Sequence, residues 1–156
     1  MKIKQAFSLV LCVVICQLAG AVGSVFTISA IPSWYSTLAK PALNPPGWIF
    51  GPVWVVLYLL MGIALWLIWR SNSKEKTKAI WLFGAQLVLN AVWSPIFFGA
   101  RSIGDALVVI VLLWAAIVLT ILVFKKISKA AAWLLVPYIL WVSFALYLNF
   151  AIWILN

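Results

Sequence analysis

The chain has 156 residues, 67% of them hydrophobic, with a mean hydropathy of +1.20, whereas a soluble domain of this size is about half apolar. Its net charge of +9 comes from 11 Lys and Arg against 2 acids, with no histidine. The basic residues sit at the ends of apolar runs and form no separate basic domain, which argues against a nucleic-acid partner. Glu75 and Asp105 both fall at loops, so no carboxylate pair exists for acid–base work.

The apolar runs are about 20 residues long, enough to cross a bilayer core. The sequence therefore predicts an all-α, integral membrane bundle of five spans, forming one domain over 1–156. The first span covers 6–28. Lys2 and Lys4 before it, and Ala19-Gly20-Ala21 within it, resemble a cleavable signal. The apolar run continues through Val22, Val25, Phe26 and Ile28, however, which predicts a retained helix. Cys12 and Cys16 lie four apart in this span. That is neither a redox nor a zinc spacing, and they read as buried structural thiols. No metal site is expected.

A lid-like loop follows over 29–47. Lys40, Asn44 and Pro45 each precede a proline and favour extended or turn geometry. Asn44-Pro45-Pro46-Gly47 reads as the stiff approach to the second span, 48–69, with Pro52 inside its first turns. Trp48 suits an interfacial anchor, as does Trp34 in the loop. Trp54 does not, because it lies roughly 9 Å deeper along the helix. Trp54, Tyr58 and Gly62 recur every four residues and form one stripe.

The third span, 79–98, carries Gln86, Asn90 and Ser94 as a polar stripe at the same spacing. Intramembrane amides need partners, so this stripe faces the bundle interior. The fourth span, 104–124, contains Trp114. The fifth, 130–155, carries Pro137, Trp141, Ala145 and Asn149 on one face. Of 11 tryptophans, Trp54, Trp93, Trp114 and Trp141 remain after the interfacial positions are assigned. They lie roughly 7 to 20 Å below the outer ends of their helices. The amides serve equally as interhelical contacts. With the mid-depth tryptophans, Asn90 points to a cavity for a flat apolar ligand. Lys40 and Arg101, the two cations on the outer side, are placed to meet ligand carboxylates at its mouth.

Nine of the Lys and Arg fall on one side of the bundle and two on the other. By the positive-inside rule the N-terminus is cytoplasmic and the C-terminus outside. In a bacterium the expected location is the inner membrane, because outer-membrane proteins are normally barrels. No intramembrane acid is present for a proton-coupled pump.

Three ordered segments then carry a resemblance. They are WYSTLAKPALNPPGWIFGPVWVVLYLLMG (34–62), AQLVLNAVWSPIFFG (85–99) and LLVPYILWVSFALYLNFAIWILN (134–156). The chain resembles the TspO/MBR family, the tryptophan-rich sensory proteins related to the mitochondrial translocator protein (peripheral benzodiazepine receptor). The resemblance implies a five-helix bundle, often dimeric. Its cavity, under the first loop, binds protoporphyrin IX and related tetrapyrroles without a required cofactor. It implies that Trp54 and Trp141 match the tryptophans implicated in porphyrin binding and breakdown. Tyr35 and Asn90 would line the pocket, with Trp93, Ser143 and Ala145 as wall residues, beside Tyr58 of the helix-two stripe, which is itself a candidate ligand-binding residue. Trp34, Lys40, Pro45, Pro46, Trp48 and Arg101 would form lid and mouth.

Two departures bear on partners. No basic residue follows Lys129, so the cholesterol motif of eukaryotic relatives is missing and cholesterol is not an expected ligand. The small-residue homodimer contact on helix three is only partly present, with Gly84 and Ala85 but Val88 where a small residue is expected. Gly20 and Ser24 offer a rival contact. Three functions remain open. One is a tetrapyrrole sensor, carrier or scavenger in tetrapyrrole or stress response. Another is a light- and oxygen-dependent porphyrin-degrading enzyme using Trp54 and Trp141. The last is a small-metabolite transporter.

Overall fold

The computed structural model describes residues 3–156; Lys2, counted above among the inner charges, lies outside the described residues. Within the hydrocarbon core no water is available to pair backbone groups, so each apolar run closes its hydrogen bonds on itself as a helix. Five spans result: Ile3–Tyr35, Gly47–Trp69, Lys76–Gly99, Ile103–Ile127 and Lys129–Leu155. Their regular parts are α1 (Ile3–Ala30), α2 (Phe50–Trp69), α3 (Lys76–Ser94) and α4 (Ile103–Ile127), with α5 (Lys129–Leu134) and α6 (Val136–Leu155) sharing the fifth span. The chain is an all-α, multi-pass membrane protein, as its sequence predicts.

Four spans match their expected bounds within three residues. The first does not. It runs on as helix to Tyr35, so the non-helical segment lies between Tyr35 and Gly47 rather than over 29–47. Ile31–Tyr35 forms one widened turn with Pro32 at its start, which spares the proline ring from the preceding carbonyl. The Ser33 hydroxyl donates back to the Ser29 carbonyl at 2.7 Å. A second widened turn, Pro95–Gly99, ends the third span, with the Ala100 N–H reaching the Pro95 carbonyl at 2.8 Å. Both sit at the end of the bundle that carries the Tyr35–Gly47 segment, where they turn aromatic side chains toward one another.

Helix α1 packs on α2 and α3, α3 on α4, and α4 on both halves of the fifth span. The contact of α2 with the fifth span runs mainly through α5, at the end of the bundle away from the Tyr35–Gly47 segment. Here a continuous apolar core forms from residues such as Met61, Ile68, Phe83, Ile117, Phe124 and Leu135. A smaller cluster of Tyr35, Phe97, Ala106 and Ile152 closes the opposite end. Between the two clusters α2 and α6 diverge.

Candidate functional site

The space left by that divergence is a cavity of about 500 Å³, within the range of small-molecule sites. Its walls are aromatic. Trp54 stacks on Tyr58 with ring centroids 5.4 Å apart, and Trp93 stacks on Phe97 at 5.1 Å. Phe50 meets Trp141 edge-on at 6.1 Å. No Asp, Glu, Lys or Arg lines the cavity among the described residues.

The floor is polar and ordered. The Tyr58 hydroxyl donates to Asn90 Oδ1 at 2.5 Å. Asn90 Nδ2 donates to the Tyr138 oxygen at 2.8 Å, and the Tyr138 hydroxyl donates to Gln86 Oε1 at 2.7 Å. All four residues are buried. Tyr58 and Asn90 face the cavity, whereas Tyr138 and Gln86 stand behind it. On the wall, Trp93 Nε1 donates to Asn149 Oδ1 at 3.1 Å, and Asn149 Nδ2 holds the Ile103 carbonyl at 3.0 Å. Thr27 and Ser94 join hydroxyls across α1 and α3 at 2.6 Å. Trp141 lines the cavity with its ring, while its Nε1 is buried and has no partner among the described residues.

Of the residues expected to bind ligand, Tyr35, Trp54, Tyr58, Asn90, Trp93, Trp141 and Ala145 line this one cavity. Ser143 does not. It lies two residues from Trp141, hence on another face of α6, where it is exposed and accepts from Trp114 Nε1 at 2.9 Å. Trp114 likewise stands outside the cavity.

At the mouth, only Trp48 of the expected lid residues lines the cavity. Lys40 is turned back on its own segment. Its ammonium donates to the Ser36 and Leu38 carbonyls at 3.2 and 2.7 Å and lies over the Tyr35 ring. Arg101 has a left-handed backbone (φ 56°) and its guanidinium lies 6.0 Å from the Trp34 ring centroid. Trp34 itself packs edge-on against Phe97. Pro45 and Pro46 precede the tight turn Gly47–Ile49, with Pro46 extended. Neither cation reaches into the cavity, because local carbonyls and an aromatic face engage them first. The segment is also pinned. The Tyr35 hydroxyl donates to Asn44 Oδ1 at 2.6 Å, and the Asn156 carboxamide makes two 3.0 Å bonds with the Ala39 backbone.

The cavity is not closed all round. Its exposed lining residues are Ala21, Ile28, Trp48, Gly51 and Val55, all at the seam between the first two spans. Those contributed by the other three spans are buried or half-buried. The opening therefore faces the bilayer, and at Gly51 a Cβ would meet nothing within 4 Å.

Sequence reasoning missed the contribution of α1. Gly20, Gly23, Ser24 and Thr27 line the cavity, and a Cβ on Gly20 would strike the Tyr58 ring. The rival dimer contact proposed for Gly20 is thus used inside the monomer. On α3, by contrast, Gly84 faces open space and Ala85 and Val88 are exposed. Tyr138 was also missed. Its signal was present, since Tyr138, Trp141, Val142, Ala145 and Asn149 share one helical face.

Comparison with known proteins agrees with this architecture. The profile of the TspO/MBR family matches residues 12–154. The chain is 49% identical over 157 residues to the tryptophan-rich protein TspO of Chlorobaculum tepidum, covering 98% of each chain. It is 42% identical over 137 residues to the tryptophan-rich protein TspO of Archaeoglobus fulgidus, covering 88% of this chain and 89% of the relative. It is 42% identical over 135 residues to the translocator protein of Homo sapiens, covering 85% and 80%.

Proposed function

Because the chain belongs to the TspO/MBR family, we propose that its cavity binds flat, apolar ligands of the tetrapyrrole class, such as protoporphyrin IX. The protein would act as a sensor, carrier or scavenger. One observation carries this reading. An aromatic-walled space of about 500 Å³ holds no ionised side chain among the described residues, yet presents an ordered tyrosine–amide floor. Stacking supplies affinity for a flat ring system, and a few convergent polar groups orient it. No cofactor is required by this reading.

A second reading is supported by Trp54 and Trp141 facing the same space. An indole there would give an electron to a photoexcited porphyrin, which passes it to dioxygen as superoxide; the indole radical cation regains an electron from the porphyrin, and the oxidised ring adds the superoxide oxygen and opens. Titration of the purified protein with protoporphyrin IX in the dark, then under light in air, separates the two. Saturable tryptophan quenching with a stable porphyrin band supports binding alone. Loss of the band that Trp54→Phe and Trp141→Phe abolish supports degradation. Absence of quenching rejects both.

The same reading includes the bilayer as environment, a cytoplasmic N-terminus in a bacterial inner membrane, and a homodimer through the open face of α3 at Gly84, Ala85 and Val88. A C-terminal tag reachable on intact spheroplasts would support the orientation. Cross-linking of Val88→Cys between copies would support the dimer.

A further inference from the structure

We propose that Gln86, which does not touch the cavity, is a positioning residue that sets the hydrogen-bond polarity of the cavity floor. The inference rests on the ligand-binding reading above and concerns which ligands the same site selects.

The chain of bonds has a direction. A tyrosine hydroxyl has one hydrogen to give, and an amide has a donor end and an acceptor end. Gln86 engages through its carbonyl alone, since its Nε2 has no partner among the described residues. That carbonyl takes the Tyr138 hydrogen, so the Tyr138 oxygen has only lone pairs for its other neighbour. Asn90 must then present Nδ2 to Tyr138, which turns Oδ1 toward Tyr58. The Tyr58 hydrogen is committed to Oδ1 in turn. Tyr58, whose side chain lines the cavity, is left with lone pairs only on its hydroxyl. Gln86 is 1% and Tyr138 0% exposed, so solvent offers no alternative partner that would scramble the order.

The floor thus accepts hydrogen bonds, and it favours a ligand that brings an N–H or O–H to Tyr58. Without the Gln86 carbonyl, the Tyr138 hydrogen is free to turn to Asn90. The Asn90 amide then turns over, its Nδ2 serves Tyr58, and the Tyr58 hydrogen is released into the cavity. The floor becomes a donor. One remote acceptor thereby determines the sign of a contact two side chains away.

The test uses two flat tricyclic probes of nearly equal footprint, carbazole with an N–H donor and 9-fluorenone with a carbonyl acceptor. Affinities are read by tryptophan quenching in phosphatidylcholine nanodiscs, for wild type, Gln86→Met and Tyr138→Phe. Gln86→Met keeps the side-chain length but removes the carbonyl, and Tyr138→Phe removes the relay while keeping the ring. In Gln86→Met the carbazole-to-fluorenone affinity ratio is expected to fall about tenfold, the effect of one buried neutral hydrogen bond; in Tyr138→Phe, where no hydrogen turns the Asn90 amide over, the fall is expected to be smaller. A merely structural role would weaken both probes alike and leave the ratio in place. An unchanged ratio in folded Gln86→Met, with wild type still binding protoporphyrin IX, overturns this proposal alone. Failure of wild type to bind either probe or protoporphyrin IX overturns it together with the ligand-binding reading.

Discussion

Replacing Asn90 by leucine removes the central link of the buried floor while nearly conserving volume. Two hydrogen bonds go, the one from Tyr58 and the one to Tyr138. Measured interhelical hydrogen bonds in a membrane average about 0.6 kcal/mol, and soluble proteins about 1 kcal/mol, so the loss is roughly 1 to 2 kcal/mol. Tyr58 borders the cavity and can turn its hydroxyl into it. Tyr138 is 0% exposed but keeps its bond to Gln86, so neither tyrosine is wholly stranded. For a chain of this size each kcal/mol moves the melting temperature by roughly 2 to 4 °C, giving an expected fall of about 2 to 8 °C. Circular dichroism melts in one fixed detergent measure it, with Val88→Leu, on the exposed face of the same helix, as control. In a Tyr138→Phe background the cost of Asn90→Leu should shrink, because one of its two bonds is already absent. A melting temperature equal to that of the control, or full additivity with Tyr138→Phe, would refute the network as drawn.

Other expectations follow from packing and pinning. A Cβ on Gly62 would lie 2.6 Å from the Val13 Cα, so Gly62→Ala should cost about 1 to 3 kcal/mol by forcing α1 from α2. Gly84→Ala meets nothing within 4 Å and should instead raise the melting temperature, by up to about 1 kcal/mol of helix propensity. Asn156→Ala removes both bonds to Ala39, and hydrogen exchange should show the Ala39 amide exchanging about tenfold faster while α2 is unchanged. Gly51→Phe should slow protoporphyrin IX association several-fold in stopped-flow quenching, since a Cβ there meets nothing within 4 Å and the ring it carries would stand in the seam.

The spans were legible because hydrocarbon imposes a contiguous apolar run of fixed length, a signal that composition alone carries. The stripes were legible too. Gln86, Asn90 and Ser94 are all buried, and Trp54 and Tyr58 stack on the cavity side of α2. What escaped was set by contacts between distant segments. Pro32 reads locally as a helix breaker, and only the widened turn lets the first span continue past it. Gly20 reads as a surface for a second copy until the Tyr58 ring is seen against it. Lys40 counts as a free cation at the mouth until its own carbonyls are found to hold it. Ser143 shows the limit of motif transfer. It stands two positions from Trp141, and that offset turns it to another side of the helix.

The seam between the first two spans changes what an affinity means for this protein. A cavity whose exposed rim is Ala21, Ile28, Trp48, Gly51 and Val55 is wetted by acyl chains rather than by buffer. The solvent from which a ligand is drawn is then the bilayer itself, and the quantity that sets occupancy is moles of ligand per mole of lipid. Doubling the detergent or lipid at constant total ligand dilutes the ligand as surely as doubling the volume dilutes a soluble substrate. Dissociation constants quoted per litre will drift with the amount of amphiphile, and values expressed as mole fractions will coincide.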